Sequence, residues 1–128
     1  YYGVSKAFGE ALASLYHDKW GVESVLVRIG TFRPKPEDVR QLALWLSWPD
    51  GVELFRCAIE SGPVGCRVVY GCSANSVRWW DGSAGWAAIG YVPKDDASEH
   101  ADAVDAAAPA PQYHGGAFTA TDYEGGIW

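Results

Sequence analysis

Methionine is absent from the 128 residues. The helical pattern that opens at residue 2 has no capping residue before it. Together these predict that the chain is the C-terminal part of a longer polypeptide. No G-x-G-x-x-G or similar glycine fingerprint occurs, so no pyrophosphate cradle of a dinucleotide site is encoded. No G-x-S-x-G elbow is present either, which removes support for a Ser-His-Asp hydrolase. His17, His100 and His114 lie far apart and lack ligand spacing, so no metal site is expected; His17 and His114 read as surface positions. Basic residues are few: 10 Lys and Arg against 16 Asp and Glu, a formal charge of −6. That balance argues against nucleic acid or an anionic membrane surface as a partner. Cys57, Cys66 and Cys72 are an odd set without C-x-x-C spacing. They read as buried free thiols in a reducing compartment, and a cytoplasmic location is expected. No apolar run is long enough to span a bilayer.

What is present begins at Tyr2-Gly3-Val4-Ser5-Lys6. On a helix, the four-residue spacing of Tyr2 and Lys6 puts both side chains on one face. A phenol has a pKa near ~10, and a cation within reach favours the phenolate. Such a tyrosine can take a proton from a hydroxyl near neutral pH. An exposed pair without chemistry fits the spacing alone equally well. Glu10, one turn beyond Lys6, reads either as its ion-pair partner or as a solvated residue.

The first helix is expected to run to about Trp20, with Gly21 as its C-cap. Val4, Phe8, Ala11 and Leu15 form one stripe, and Tyr2, Lys6, Gly9 and Ala13 lie roughly opposite, so packing on two sides is expected. Val25–Ile29 is a nearly continuous apolar run, read as a strand buried on both faces of a parallel sheet. Helix followed by buried strand is an α/β rhythm. Thr31 and Phe32 then stand beyond the carboxyl end of that strand, where ligands bind in open α/β sheets. Arg33–Arg40 reads as a stiff polar loop, because Pro34 and Pro36 fix φ. Leu42–Trp48 reads as a short strand or a buried turn. Ser47 is expected to cap a helix with Pro49 and Asp50 in its first turn, running to Gly62. Arg67–Tyr70 is a second buried strand, ending at Gly71. Trp79, Trp80 and Trp86 form an aromatic cluster, suited to stacking on a sugar but more in keeping with core or subunit interface. Gly90–Pro93 is a turn, and Asp95 or Asp96 caps a last helix through Val104. Residues 107–128 lack periodicity and read as an irregular tail that wraps the domain or stays disordered.

Tyr2-Gly3-Val4-Ser5-Lys6-Ala7-Phe8-Gly9-Glu10 resembles the Y-G-x-S-K-x-x-x-E segment of the extended short-chain dehydrogenases/reductases, the NAD-dependent epimerase/dehydratase family. The resemblance extends through Leu26–Gly30, the Pro34-x-Pro36 loop with Arg40, Gly71-x-Ser73-Ala74-Asn75, Trp79-Trp80-Asp81 and Gly90–Asp95, with a Gly-Gly-x-Phe echo at Gly115–Phe118. These stretches point to the uronate-oxidising branch of the family. The resemblance implies an α/β fold, the C-terminal part of a Rossmann-like doubly wound parallel sheet without its N-terminal half. Residues 1–106 would form that portion with its substrate-binding elements. It implies NAD as cofactor, accepting a hydride from C1 of galacturonate or glucuronate to give an aldarolactone. By the same resemblance Tyr2 is the general base and Lys6 binds the nicotinamide ribose and keeps the Tyr2 phenolate accessible. Thr31 contacts the sugar, Phe32 contacts the cofactor through its backbone, and Arg40 holds the substrate carboxylate. Thr31 stands where the family uses a serine, and Phe32 where it uses a smaller residue. A homo-oligomer is expected. Two alternatives remain open: a sugar-nucleotide epimerase or dehydratase using the same Tyr2/Lys6 pair, and a non-catalytic interaction module.

Overall fold

The structure is a computed structural model and describes residues 1–105 and 112–123. Helix α1 spans Tyr2–Trp20 and ends at Gly21, whose left-handed φ of 66° and N–H bonded back into the last turn make it the C-cap. Strand β1 (Ser24–Ile29) follows, then the two-residue strand β2 (Thr31–Phe32). Helix α2 (Val39–Leu44) leads into β3 (Trp45–Leu46), helix α3 (Trp48–Glu60) and strand β4 (Cys66–Gly71). Helix α4 (Ser83–Ile89) and 3₁₀ segments at Ala97–Ala103 and Gly116–Thr119 complete the described elements.

Both strand pairs are parallel, as the α/β rhythm predicts. β1 runs beside β4 in the register Ser24↔Cys66 to Ile29↔Gly71, and β2 beside β3 with Thr31↔Trp45 and Phe32↔Leu46. Gly30 makes the second pair possible. A Cβ there would lie 2.0 Å from the Leu44 carbonyl oxygen, so only glycine lets the chain leave β1 this close to the end of α2.

The core lies on one side, where Leu46, Leu54, Cys57, Val69, Cys72, Trp86, Ile89 and Tyr91 pack together. Burial pushes the Cys72 thiol up to about 11, and it pushes the Cys57 thiol up as well. All three cysteines are free, as expected, although Cys66 is only half-buried.

A polar network anchors the junction of β3 and α3. Ser47 caps α3, its Oγ accepting from Asp50 N at 3.1 Å, as its position before Pro49 and Asp50 predicts. The buried Asp50 carboxylate accepts from the backbone N–H groups of Lys94 and Asp95. Ser47 Oγ donates to Asp95, and Ser47 N donates to Ser73 Oγ. Asn75 donates to the Trp45 carbonyl and accepts from Ala97 N. The Gly71–Asn75 and Gly90–Asp95 stretches are therefore architectural, tying loops to the core through satisfied buried polar groups.

Several expectations need correction. α1 is not packed on two sides: none of its residues is buried, and Val4, Phe8, Leu12 and Leu15 are exposed. The physical reason is width. A pair of strands spans only about 5 Å between axes, whereas a helix with its side chains is about 10 Å across. β1 is half-buried rather than buried on both faces, and in β4 only Val69 and Gly71 are buried, for the same reason. Arg40 is not in a loop; it is the second residue of α2, which Asp38 caps by accepting from Gln41 N at 2.7 Å. Leu42–Trp48 is the end of α2, then β3, then the start of α3. The last helix is a 3₁₀ turn capped by Asp96. Helix α4 falls where the sequence assigns no element, because a run of Ser, Ala and Gly around one Trp carries no period. The expected tail, 107–128, lies partly outside the described residues; its described part, 112–123, returns to the body of the chain.

Candidate active site

The first turn of α1 presents Tyr2 and Lys6 together. The Lys6 ammonium lies 5.0 Å from the centroid of the Tyr2 ring, the one-face arrangement their spacing predicts. Glu10, the carboxylate one turn further on, does not pair with Lys6. It accepts two hydrogen bonds from Arg28 of β1, from Nε at 2.8 Å and Nη2 at 2.7 Å. This fork, helped by the guanidinium charge and opposed by burial, holds the Glu10 carboxyl below its ordinary value. Lys6 forms no ion pair among the described residues. Between α1 and β1 lies a cleft of about 740 Å³, lined by Tyr2, Ser5, Lys6, Glu10 and residues 26–29.

A second group assembles at the carboxyl end of β1. Arg40 Nη1 donates to Thr31 Oγ1 at 3.1 Å, and Arg40 Nε donates to the His114 carbonyl at 2.6 Å. Neither Glu37 nor Asp38 takes Arg40: Glu37 pairs with Arg33, and Asp38 is occupied as the cap of α2. Among the described residues nothing bonds Nη2, so the Nη2 amine remains as a donor toward a carboxylate or phosphate. Phe32, beside Thr31, is half exposed and lays its ring edge over Gly51.

The C-terminal turn joins the two groups. Phe118 stacks on Tyr2 with centroids 4.8 Å apart, while His114, four residues earlier, holds Arg40. Four residues span at most about 14 Å of chain, so the phenol and the guanidinium both lie within side-chain reach of one short segment. His114 is exposed, as expected, but its side chain is not free of contacts. Its ring stacks on Trp79 at 4.9 Å, and its Nδ1 accepts from Trp80 Nε1 at 3.1 Å. The sequence signal for this contact is faint. A tryptophan pair carries indole N–H groups that need acceptors, and a histidine precedes the Gly115-Gly116 pair. Phe118 was marked only as the end of the Gly-Gly-x-Phe echo.

The donor set fits the nicotinamide-ribose end of a dinucleotide: an ammonium and a phenol on one rim of an open cleft. It does not supply a pyrophosphate cradle. Among the described residues the glycines with positive φ are Gly21, Gly65, Gly90 and Gly116, and none joins a strand to the start of a helix.

The architecture is that of part of a Rossmann-like α/β domain, with a tyrosine–lysine pair at its open cleft. No family model matches the chain. It is 44% identical over 125 residues to a uronate dehydrogenase of Pseudomonas putida, covering 92% of this chain and 46% of that protein. It is 41% identical over 101 residues to an NAD-dependent glucose-6-phosphate dehydrogenase of Haloferax volcanii, covering 77% of this chain and 38% of that one. Its fold matches a crystal structure of a uronate dehydrogenase from Agrobacterium tumefaciens, a tyrosine-to-alanine variant complexed with NAD. That match has a TM-score of 0.77 at 42% identity and covers 85% of this chain and 41% of that one. The chain is thus a homologue of the uronate dehydrogenases, matching their C-terminal half. It spans less than half the length of the curated relatives it matches.

Proposed function

We propose that this chain supplies the substrate-side half of an NAD-dependent uronate dehydrogenase, a cytoplasmic homo-oligomer. The enzyme oxidises C1 of galacturonate or glucuronate to an aldarolactone. The observation that carries this reading is the Arg40 guanidinium. It is bonded to Thr31, without an ion pair among the described residues, and joined through one short turn to the tyrosine that can take the C1 proton. NAD⁺, when bound, supplies the hydride acceptor.

In this reading Tyr2 removes the proton from the C1 hydroxyl, with the Lys6 ammonium beside its ring. Lys6 also hydrogen-bonds the ribose hydroxyls and thereby fixes the cofactor's reacting end. Phe32 meets the cofactor through its backbone. Thr31 holds a sugar hydroxyl, and Arg40 clamps the carboxylate at the far end of the ring.

The test is NADH formation by the full-length protein with galacturonate, glucuronate, glucose 6-phosphate and a nucleotide-linked hexose, followed by product analysis. The proposal requires a lactone from a uronate. Turnover confined to the sugar phosphate would assign the Arg40 fork to phosphate, and turnover confined to the nucleotide sugar would restore the epimerase reading.

A further inference from the structure

The three aromatic side chains around His114 have no part in the chemistry above, yet they are arranged in sequence from the sheet to the guanidinium. Tyr70 of β4 stacks on Trp80 with centroids 4.9 Å apart. Trp80 donates its indole N–H to His114, and Trp79 covers the imidazole face. The next atom along is the His114 carbonyl, which receives Arg40 Nε. We infer that His114, anchored by Trp79 and Trp80, is a positioning residue: it docks the C-terminal turn so that its carbonyl fixes the Arg40 guanidinium before substrate arrives. This rests on the uronate reading for its consequence, which is selection of a carboxylate-bearing sugar.

Several observations require a device of this kind. A free arginine side chain has many rotamers, and freezing them on binding weakens affinity. Here two of its donors are already committed, to Thr31 and to His114, so the remaining fork faces one way. The turn that supplies the carbonyl cannot hold itself, since a four-residue 3₁₀ segment is too short to be stable alone. Its approach to Arg40 is also close. Gly116 has φ +56°, a backbone conformation that favours glycine, and a Cβ there would stand 3.0 Å from Arg40 Nε, a tight contact. Something outside the turn must pin it, and the His114 ring is pinned on its face and at Nδ1. The indole N–H can only donate, so Nδ1 carries no proton in this arrangement. Stacking on Trp79 and Trp80 is taken up within the chain, by His114 and Tyr70.

The experiment uses the full-length protein with His114→Ala, His114→Gln and Trp80→Phe. His114→Ala should lower the ratio of kcat/KM for galacturonate to that for galactose by about tenfold, the size of one charge-assisted hydrogen bond. The change should fall mainly on the uronate KM, leaving kcat within about twofold. His114→Gln, which keeps an acceptor for the indole, should recover part of the ratio. In an Arg40→Ala background His114→Ala should leave the ratio unchanged, because both act through one guanidinium. Equal losses on both sugars, or an additive effect in the double variant, overturn the inference. A second readout stands apart from activity: the Arg40 Nε–H signal in nuclear magnetic resonance should exchange slowly with solvent in the parent and quickly in His114→Ala. Slow exchange surviving in His114→Ala overturns the anchoring. Slow exchange lost in His114→Ala, in a protein with no preference for uronates, sinks the uronate reading and leaves the anchoring intact.

Discussion

At the junction of β3 and α3, Ser47, Asp50, Ser73 and Asn75 are buried, and each has its hydrogen-bond partners within the chain. At the first turn of α1, Tyr2 is 42% exposed, Lys6 has no ion-pair partner among the described residues, and Val4 and Phe8 lie open. The same short chain therefore contains a corner that is complete and a face that is not. The complete corner is scaffold: it sets the carboxyl ends of β1 and β4 and the start of α3. The open face leaves the Lys6 ammonium without an ion-pair partner among the described residues, which suits the site proposed above. Burial of a polar group, more than its type, separates the two roles here.

Four substitutions would break or sharpen that contrast. The largest effect belongs to the open face. In the full-length protein Tyr2→Phe should lower kcat by about 10²–10⁴, the range for loss of a general base, while NAD⁺ affinity measured by calorimetry changes little. Turnover near that of the parent would move the base elsewhere. Lys6→Ala should weaken both turnover and NAD⁺ binding, since one ammonium is given two tasks; binding that stays intact would leave it only the first.

On the complete corner, Asp50→Ala should cost about 2–5 kcal/mol of stability, because it strands two backbone N–H groups at Lys94 and Asp95. The urea midpoint should fall, with substrate selectivity unchanged among molecules that remain folded. A selectivity change would mean that the corner and the site are not separate. The smallest effect is at the Glu10–Arg28 fork. Its carboxyl is lowered from 4.5 in the folded chain. The stabilisation is therefore present in full above that ordinary value and is lost as pH falls through the lowered one. Glu10→Gln should remove at most about 1 kcal/mol near neutral pH, given the exposure of Arg28, and should flatten the acid limb of a stability-against-pH curve. An unchanged acid limb would show that the pair adds nothing.

Local features were legible in the sequence. The Tyr2–Lys6 face follows from helical spacing, the Ser47 cap from Ser-x-Pro-Asp, and the parallel strands from apolar runs between helices. The long-range contacts were not. Arg40 and His114 are 74 residues apart, and no periodicity encodes such a pairing. The roles of Gly71–Asn75 and Gly90–Asp95, which enter only as part of the family resemblance, are set by long-range bonds to backbone groups through Asn75 and Asp50. The burial of α1 and β1 was overestimated, since an apolar pattern records what a segment can cover and not how wide its neighbour is.

The central claim is that one guanidinium on this chain chooses the substrate. Its direct test is the ratio of kcat/KM for galacturonate to that for galactose in the full-length protein and in Arg40→Ala. The account predicts a ratio lower by about 30-fold or more, as removal of a charged hydrogen-bonded partner costs about 2–5 kcal/mol, with galactose turnover little changed. An unchanged ratio would contradict it and take Arg40 out of the substrate site.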